Sequence, residues 1–303
     1  MDHTIGPGSK AQRVRESRTI QNVFTKAMGL GNSSCSGAAA ICGNVTIPYP
    51  FGIEPGCYID DWFAIDCNYT LVAPKPILRS FDLEVLDISL EGTLRVNYPM
   101  SWICANGLRN ARDHASLASS PFVISKLRNI FIDMGCDNFA YLQSDDFSLC
   151  IICGCMSVCE KNITLQTNSS SCNGNGCCKT TIPSDLDLFT KWIAFMYKPS
   201  IKSTAEDCIY ACLVDQKWFQ ENLTNIFEVR NMSHVPVVLN WEINANLSSL
   251  VMGSNSSHST CQFANGSSLL GNVSSTFTCT CDSGFEGNPY LLDGCQGKLL
   301  ALY

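Results

Sequence analysis

Phe81-Asp-Leu-Glu-Val-Leu-Asp-Ile-Ser-Leu90, followed by Glu91-Gly92 and Thr93-Leu-Arg-Val-Asn-Tyr98, decides the fold class. Apolar and polar residues alternate along Phe81–Leu90, and successive side chains of a strand point to opposite faces, so the pattern specifies a half-buried strand. Glu91-Gly92 is a turn, and the next run returns along it: a β-hairpin. Working outward, Cys42 to Cys104 is strand-like, and Ser120 to Met134 reads as further strands ending at Gly135-Cys136. Phe189-Thr-Lys-Trp-Ile-Ala-Phe-Met-Tyr197 is another strand. Helical spacing shows in Ala205 to Phe219, where Glu206-Asp207 precede an apolar set. The expected fold is mainly β, with short helices.

Cysteine usage adds that the fold is disulfide-rich. Nineteen cysteines share the 303 residues with eleven Asn-x-Ser/Thr acceptors, at Asn32, Asn44, Asn68, Asn162, Asn168, Asn222, Asn231, Asn246, Asn255, Asn265 and Asn272. One sequon arises readily by chance; eleven spread along the chain specify a glycosylated surface. Cysteines at this density persist as disulfides only in an oxidising compartment. The two features together predict an extracellular chain, in the cell wall or on the outer face of the plasma membrane. Asn44, between Cys42 and the apolar Ile47–Phe51 run, is expected to be the least available acceptor.

Charge excludes one large class of partner. The net charge of −7 rules out a generally basic, nucleic-acid-type surface. Residues 75–128 nevertheless carry seven basic against five acidic side chains, the one basic stretch outside the N-terminal thirty residues. Residues 1–34 are polar, without periodicity, and expected to be disordered or wrongly joined to the rest. They lack the apolar core of a signal peptide. The most apolar window, Phe147–Val158, is too short for a membrane span. Five further segments are expected: a domain over 35–140, a Cys-rich domain over 141–250, a Ser/Asn-rich linker over 251–260, a small module over 261–296 and a tail over 297–303.

Catalytic and metal chemistry find little footing. The four histidines, His3, His114, His234 and His258, lie in polar contexts with no Gly-x-Ser-x-Gly elbow and no His-Glu-x-x-His. Asp60-Asp61 beside Trp62 could suggest a glycosidase carboxylate, but neighbours on a strand cannot flank one bond, and a solvated loop is the better reading. Cys150, Cys153, Cys155 and Cys159 are too closely spaced to wrap a tetrahedral zinc, so disulfides are expected there. The adjacent pair Cys177-Cys178 cannot easily close on itself and should reach two partners. An odd total leaves at least one thiol over, with Cys35, Cys150, Cys153 and Cys212 as the candidates. The expected pairing set is Cys42, Cys57, Cys67, Cys104, Cys136, Cys155, Cys159, Cys172, Cys177, Cys178, Cys208, Cys261, Cys279, Cys281 and Cys295. Gly174-Asn-Gly176 is a turn and not a phosphate cradle, and no kinase element occurs. No enzyme activity, metal or cofactor is expected.

Cys279-Thr-Cys281-Asp-Ser-Gly284-Phe285-Glu-Gly287 resembles the ending of an epidermal-growth-factor-like (EGF-like) module, here with four cysteines in place of six. The resemblance implies the pairs Cys261–Cys279 and Cys281–Cys295. Ser256–Thr260 lacks the acidic cluster of a calcium-binding version. The run from Cys42-Gly-Asn-Val-Thr-Ile-Pro-Tyr-Pro-Phe-Gly to Cys57-Tyr-Ile-Asp-Asp-Trp-Phe-Ala-Ile-Asp-Cys67-Asn68 resembles the galacturonan-binding domain of plant wall-associated receptor kinases. Gly154-Cys-Met-Ser-Val-Cys159, Cys172–Cys178 with Thr181-Ile-Pro183, Ala211–Phe219, Val235–Trp241 and Gly284–Tyr290 extend that resemblance collinearly to about residue 296. It implies a galacturonan-binding domain, a wall-associated-kinase-type extracellular region and a partial EGF-like module, without the kinase. Cys212 stands where that family is expected to carry an apolar residue.

Two functions follow. The first is binding of cell-wall pectin or oligogalacturonides. Pyranose rings stack on aromatic faces, and uronate carboxylates suit Arg or Lys. Tyr49, Phe51, Tyr58, Trp62 and Trp102 supply rings; Lys75, Arg79, Arg95, Arg109 and Arg112 supply cations. Calcium would enter only as a pectin-borne bridge. Residue for residue, core positions for Tyr49, Phe51 and Trp62 and a solvated face for the cations are the plainer reading. The second function is a protein-interaction module, a decoy or co-receptor that meets other cell-surface proteins through the Cys-rich and EGF-like regions.

Overall fold

The computed structural model of the chain describes residues 39–70, 72–110, 114–145, 150–159, 172–197, 208–222, 226–252, 258–265 and 275–298. Its strands begin with β1 (Ala40–Cys42), β2 (Val45–Ile47), β3 (Ile65–Asn68), β4 (Lys75–Leu78), β5 (Leu83–Ser89), β6 (Thr93–Pro99) and β7 (Ser101–Cys104). They continue with β8 (Arg109–Asn110), β9 (His114–Ser116), β10 (Phe122–Ile124), β11 (Asn129–Met134), β12 (Asn138–Ser144), β13 (Ile151–Ser157) and β14 (Cys177–Thr181). The last are β15 (Leu188–Phe195), β16 (Cys208–Asp215), β17 (His234–Trp241), β18 (Ile243–Asn244), β19 (Ser259–Asn265), β20 (Ser275–Cys281), β21 (Phe285–Gly287) and β22 (Cys295–Gly297). Helical segments are short, the longest being Gln216–Asn222. The chain is mainly β and disulfide-rich, with short helices.

The hairpin read at Phe81–Tyr98 is β5–β6, turned at Gly92, whose φ of 92° is open to glycine at little cost. The register shifts between Val85 and Asp87, a bulge that leaves Leu86 without an opposite residue. Leu94, Val96 and Tyr98 of β6 point inward and are buried. This hairpin sits in a six-stranded sheet of order β10-β17-β6-β5-β4-β3. Aromatic rings fill the space over its inner face. Phe51 meets Phe63 at 5.0 Å and Trp241 at 5.4 Å, and Phe63 meets Phe122 at 5.6 Å. Aromatic packing of this kind, edge-to-face in the two Phe51 pairs and tilted in the third, adds about 0.5–1.5 kcal/mol per pair beyond the area buried.

In a five-stranded sheet, β14-β11-β16-β7-β8, the strands β11 and β16 are buried on both faces. From β11 and β16, Phe131, Ile209, Ala211 and Leu213 point into the main core. Their neighbours Ile130, Ile132, Met134, Cys212 and Val214 join a second cluster, closed by Phe219 and Val229. That two-sided burial corrects the helical reading of Ala205–Phe219. Residues 208–215 are strand, and helix begins only at Gln216, where Asp215 Oδ1 accepts from Lys217 N at 3.0 Å. A strand buried on both faces carries an unbroken apolar run, which periodicity alone does not distinguish from a buried helix. Ser248–Met252, assigned partly to a linker, is a short helix.

Sheet hydrogen bonding ignores the division at 140/141. β12 crosses it, and β17 pairs with β6 from Val235↔Tyr98 to Asn240↔Thr93. The third sheet, β13-β12-β15-β9, likewise joins residues from both sides. The terminal module also docks on this body: the Tyr290 ring lies 5.5 Å from Trp241, and Asn288 Nδ2 donates to Tyr49 O at 2.6 Å.

Disulfides join Cys42–Cys67, Cys104–Cys208, Cys136–Cys159, Cys155–Cys178, Cys172–Cys177, Cys261–Cys279 and Cys281–Cys295. Cys57 is disulfide-bonded as well. The adjacent Cys177 and Cys178 reach two different partners. Cys153 and Cys212 are thiols, both pushed up by burial, to about 11 and about 12 respectively. Neither has the low pKa or exposure of a reactive cysteine. Cys35 lies outside the described residues.

Candidate functional site

The segment 48–66 builds one rim of the six-stranded sheet. It begins with a turn in which Phe51 N donates to Pro48 O at 2.9 Å. It then folds back so closely that a Cβ on Gly52 would lie 2.3 Å from Cys57 O, so only glycine fits. Ile65 N donates to Gly52 O at 2.8 Å and closes the loop onto β3. Asp60 caps the 3-10 turn Asp61–Phe63, its Oδ1 accepting from Trp62 N at 2.8 Å. Partial burial, ahead of the Asp61 charge, raises the Asp60 carboxyl above its ordinary value. Asp60 is thus the cap, and Asp61 the exposed first residue of the turn it caps.

Four of the sequence-predicted residues are on or beside this segment, and two of them, Tyr58 and Arg79, are in contact. Arg79 follows β4; its Nε and Nη2 donate to Asp66 Oδ1 at 3.0 and 2.7 Å, and its Nη1 to the Tyr58 hydroxyl at 3.4 Å. The same guanidinium sits 5.8 Å over the Tyr58 ring, a cation–π contact. These bonds, led by the one to Asp66, hold Arg79 more firmly charged than usual. Trp62, half-buried, stacks on Phe81 with centroids 5.8 Å apart. The fourth, Tyr49, is half-buried beneath the rim. Burial first, then the Asp60 charge, pushes its phenol up to about 12. Asp66, the partner of Arg79, and Phe81, the partner of Trp62, went unnoticed in sequence; Phe81 was visible there only as the first apolar residue of a strand.

The other members are dispersed. Phe51 is core, 1% exposed, and cannot meet a ligand. Lys75 Nζ is 2.9 Å from Glu84 Oε1. Arg95 Nε is 3.1 Å from Oδ2 of the buried Asp215, an ion pair without hydrogen-bond alignment. Trp102 and Arg109 lie on β7 and β8 of the five-stranded sheet, Arg109 exposed and without an ion pair among the described residues. Arg112 lies outside the described residues. The single basic patch drawn from residues 75–112 is therefore not assembled: Lys75 pairs with an acid of the neighbouring strand β5, and Arg95 with one from β16 of another sheet.

Among the described residues no three His, Cys, Asp or Glu side chains are grouped to hold a metal. No described helix is long and apolar enough to cross a membrane. Of the acceptor asparagines, Asn44, Asn222, Asn231 and Asn246 are exposed. Asn44 occupies the tip of the β1–β2 hairpin, exposed, so burial beside the apolar run gives no reason for it to be the least available. Asn68 Oδ1 accepts from Thr70 N at 3.0 Å and Thr70 Oγ1 at 2.7 Å. The side chain of Asn265 and the whole of Asn32, Asn162, Asn168, Asn255 and Asn272 lie outside the described residues.

Two family models match the chain: "Wall-associated receptor kinase galacturonan-binding" over residues 35–98, and "Wall-associated kinase" over residues 169–250. The first contains the whole Tyr58–Trp62–Asp66–Arg79 rim. Over these residues the chain carries the extracellular domains of the wall-associated receptor kinase family. It is 33% identical over 266 residues to wall-associated receptor kinase 4 of Arabidopsis thaliana and 35% identical over 270 residues to wall-associated receptor kinase 5 of the same plant. Each alignment covers 84% of this chain and 34% of the relative, so the chain spans about a third of the length of these curated relatives. Neither matching model is a kinase domain. No solved structure matches the chain.

Proposed function

We propose that this chain is an extracellular ectodomain that binds de-esterified pectin at the rim formed by Tyr58, Trp62 and Arg79. The observation carrying this reading is the Arg79 guanidinium held over the Tyr58 ring, inside the segment that matches the galacturonan-binding family model. An aromatic face beside a fixed guanidinium suits a uronate, which presents an apolar ring face and a carboxylate. Asp66 currently takes two of the Arg79 donors. Both side chains are about half exposed, so this pair is worth at most about 1 kcal/mol and a uronate carboxylate can displace it. The net charge of −7 opposes a polyanion, so attraction must be local or bridged by calcium carried on the pectin.

The test is retention on immobilised polygalacturonate. Binding is expected to weaken as salt shortens the reach of exposed charges below about 8–10 Å, and to weaken with methyl-esterified pectin. Arg79→Ala and Tyr58→Ala should each lower it, with circular dichroism unchanged. Asp66→Asn should raise it. Retention indifferent to salt, esterification and Arg79→Ala would sink the reading and favour recognition of a cell-surface protein.

A further inference from the structure

The sheet β13-β12-β15-β9 presents an outward face whose sequence pattern is inverted. On β15, Lys191 points inward and is 1% exposed, whereas its neighbour Trp192 points outward and is 48% exposed. Lys191 reaches solvent nowhere; its Nζ donates to Pro99 O at 3.2 Å and lies 5.4 Å from the Tyr98 ring centroid. Slipping the register by one residue would bury the tryptophan and free the lysine, since side chains alternate with a period of two. Departures of this kind from the hydrophobic pattern concentrate at functional sites.

Trp192 ends a row of three parallel rings. It lies directly opposite Tyr141 of β12, with centroids 6.1 Å apart and planes 13° apart. Tyr141 continues to Phe139 on the same face, at 6.3 Å and 3°. On the far side of Tyr141 is Gly154, where an added Cβ would come within 3.1 Å of the Tyr141 Cβ. The glycine leaves that flank of the row open. Thr190, also outward, donates to Asp145 Oδ1 at 2.6 Å beside the row. Met156, opposite Phe139, is 58% exposed. None of β12, β13 and β15 contains an acceptor asparagine, so no N-glycan is rooted in these strands.

We propose that this face is a second carbohydrate site, for an uncharged polysaccharide. Pyranose rings of a neutral glycan lie across Phe139, Tyr141 and Trp192, and their hydroxyls hydrogen-bond the Thr190–Asp145 pair. Charge selects the class. Lys191 is the only charged residue in β12, β13 and β15, and it is buried, so these strands offer no cation to a uronate, while Asp145 repels one. Sugar hydroxyls, by contrast, are donors suited to a carboxylate acceptor. The face lies outside the 35–98 segment and is independent of the pectin reading.

The test is titration of the full glycosylated chain with cellohexaose, xylohexaose and mannohexaose, read by calorimetry, beside galacturonate oligomers of equal length. At least one neutral hexamer should bind. Trp192→Ala and Tyr141→Ala should each lower that affinity about tenfold. Thr190→Val, which keeps the packing and removes the hydroxyl, should lower it several-fold. Galacturonate binding should stay within about twofold in all three variants. The proposal is overturned if none of the neutral hexamers binds, or if binding ignores both Trp192→Ala and Thr190→Val. It is also overturned if sedimentation shows that Trp192→Ala abolishes self-association instead, which would make the face an interface between copies.

Discussion

Trp241→Ala tests whether the terminal module and the body share one core. Trp241, 1% exposed, is the ring through which they meet: Phe51 at 5.4 Å, Phe63 at 5.9 Å and Tyr290 at 5.5 Å surround it. Truncating a buried tryptophan to alanine costs about 3–5 kcal/mol in lost transfer energy and cavity. The three ring pairs place this site at the upper end, since each adds about 0.5–1.5 kcal/mol beyond area. A stability of about 5–15 kcal/mol for an ordinary domain makes that a large fraction of the whole. Unfolding followed by circular dichroism should show a midpoint roughly 6–20 °C lower, at about 2–4 °C per kcal/mol for a body of this size. Hydrogen exchange should rise both in Phe51–Phe63 and in Phe285–Cys295. Trp241→Phe should cost only about 1–2 kcal/mol, because the indole Nε1 has no hydrogen-bond partner among the described residues and most of the ring volume is kept. A loss below about 1 kcal/mol for the alanine variant, or exchange confined to one side, would refute the shared core.

Asp133 gives a pH signature. Burial raises its carboxyl to about 7, against which the hydrogen bond from Asn138 acts only in part. The unfolded chain ionises this group near pH 4 and the folded chain near 7, so its contribution is complete below about pH 4 and is lost as pH rises to about 7. Asp133→Asn should remove that slope and make the protein more stable at neutral pH, as read by denaturant midpoints across the range. Cys295→Ser should lower the stability of the terminal module by about 2–5 kcal/mol, read as faster exchange in 275–298 and a more solvent-quenched Trp241. Asn44→Gln should remove one glycan's mass from the secreted protein, because Asn44 is exposed at a hairpin tip.

Much of the fold was legible in single strands. The alternation of Phe81–Leu90 gave β5, and the run Phe189–Tyr197 held all of β15 but its first residue. The Cys279–Gly287 pattern marked a module whose two bridges, Cys261–Cys279 and Cys281–Cys295, are present. The residues of β16 misled, because two-sided burial erases the period that separates strand from helix. Of the residues of the proposed pectin site, Tyr58, Trp62 and Arg79 were named from composition in one segment. Asp66, which holds Arg79 in place, was not, because a pair thirteen residues apart becomes a contact only through the β3–β4 register.

The sequence by itself determined the chemistry that local patterns encode: strands from a period of two, an oxidising compartment from cysteines and sequons, a family from collinear motifs. Only the tertiary structure decided which side chains share a surface. It paired Lys75 with Glu84 and Arg95 with Asp215, dispersing a patch that looked contiguous along the chain. It also turned Lys191 inward and Trp192 outward. The physical reason is that a strand's pattern fixes which residues share a face. Which face meets the core, and what lies across from it, is set by partners distant in sequence, as β17 from residues 234–241 is for β6.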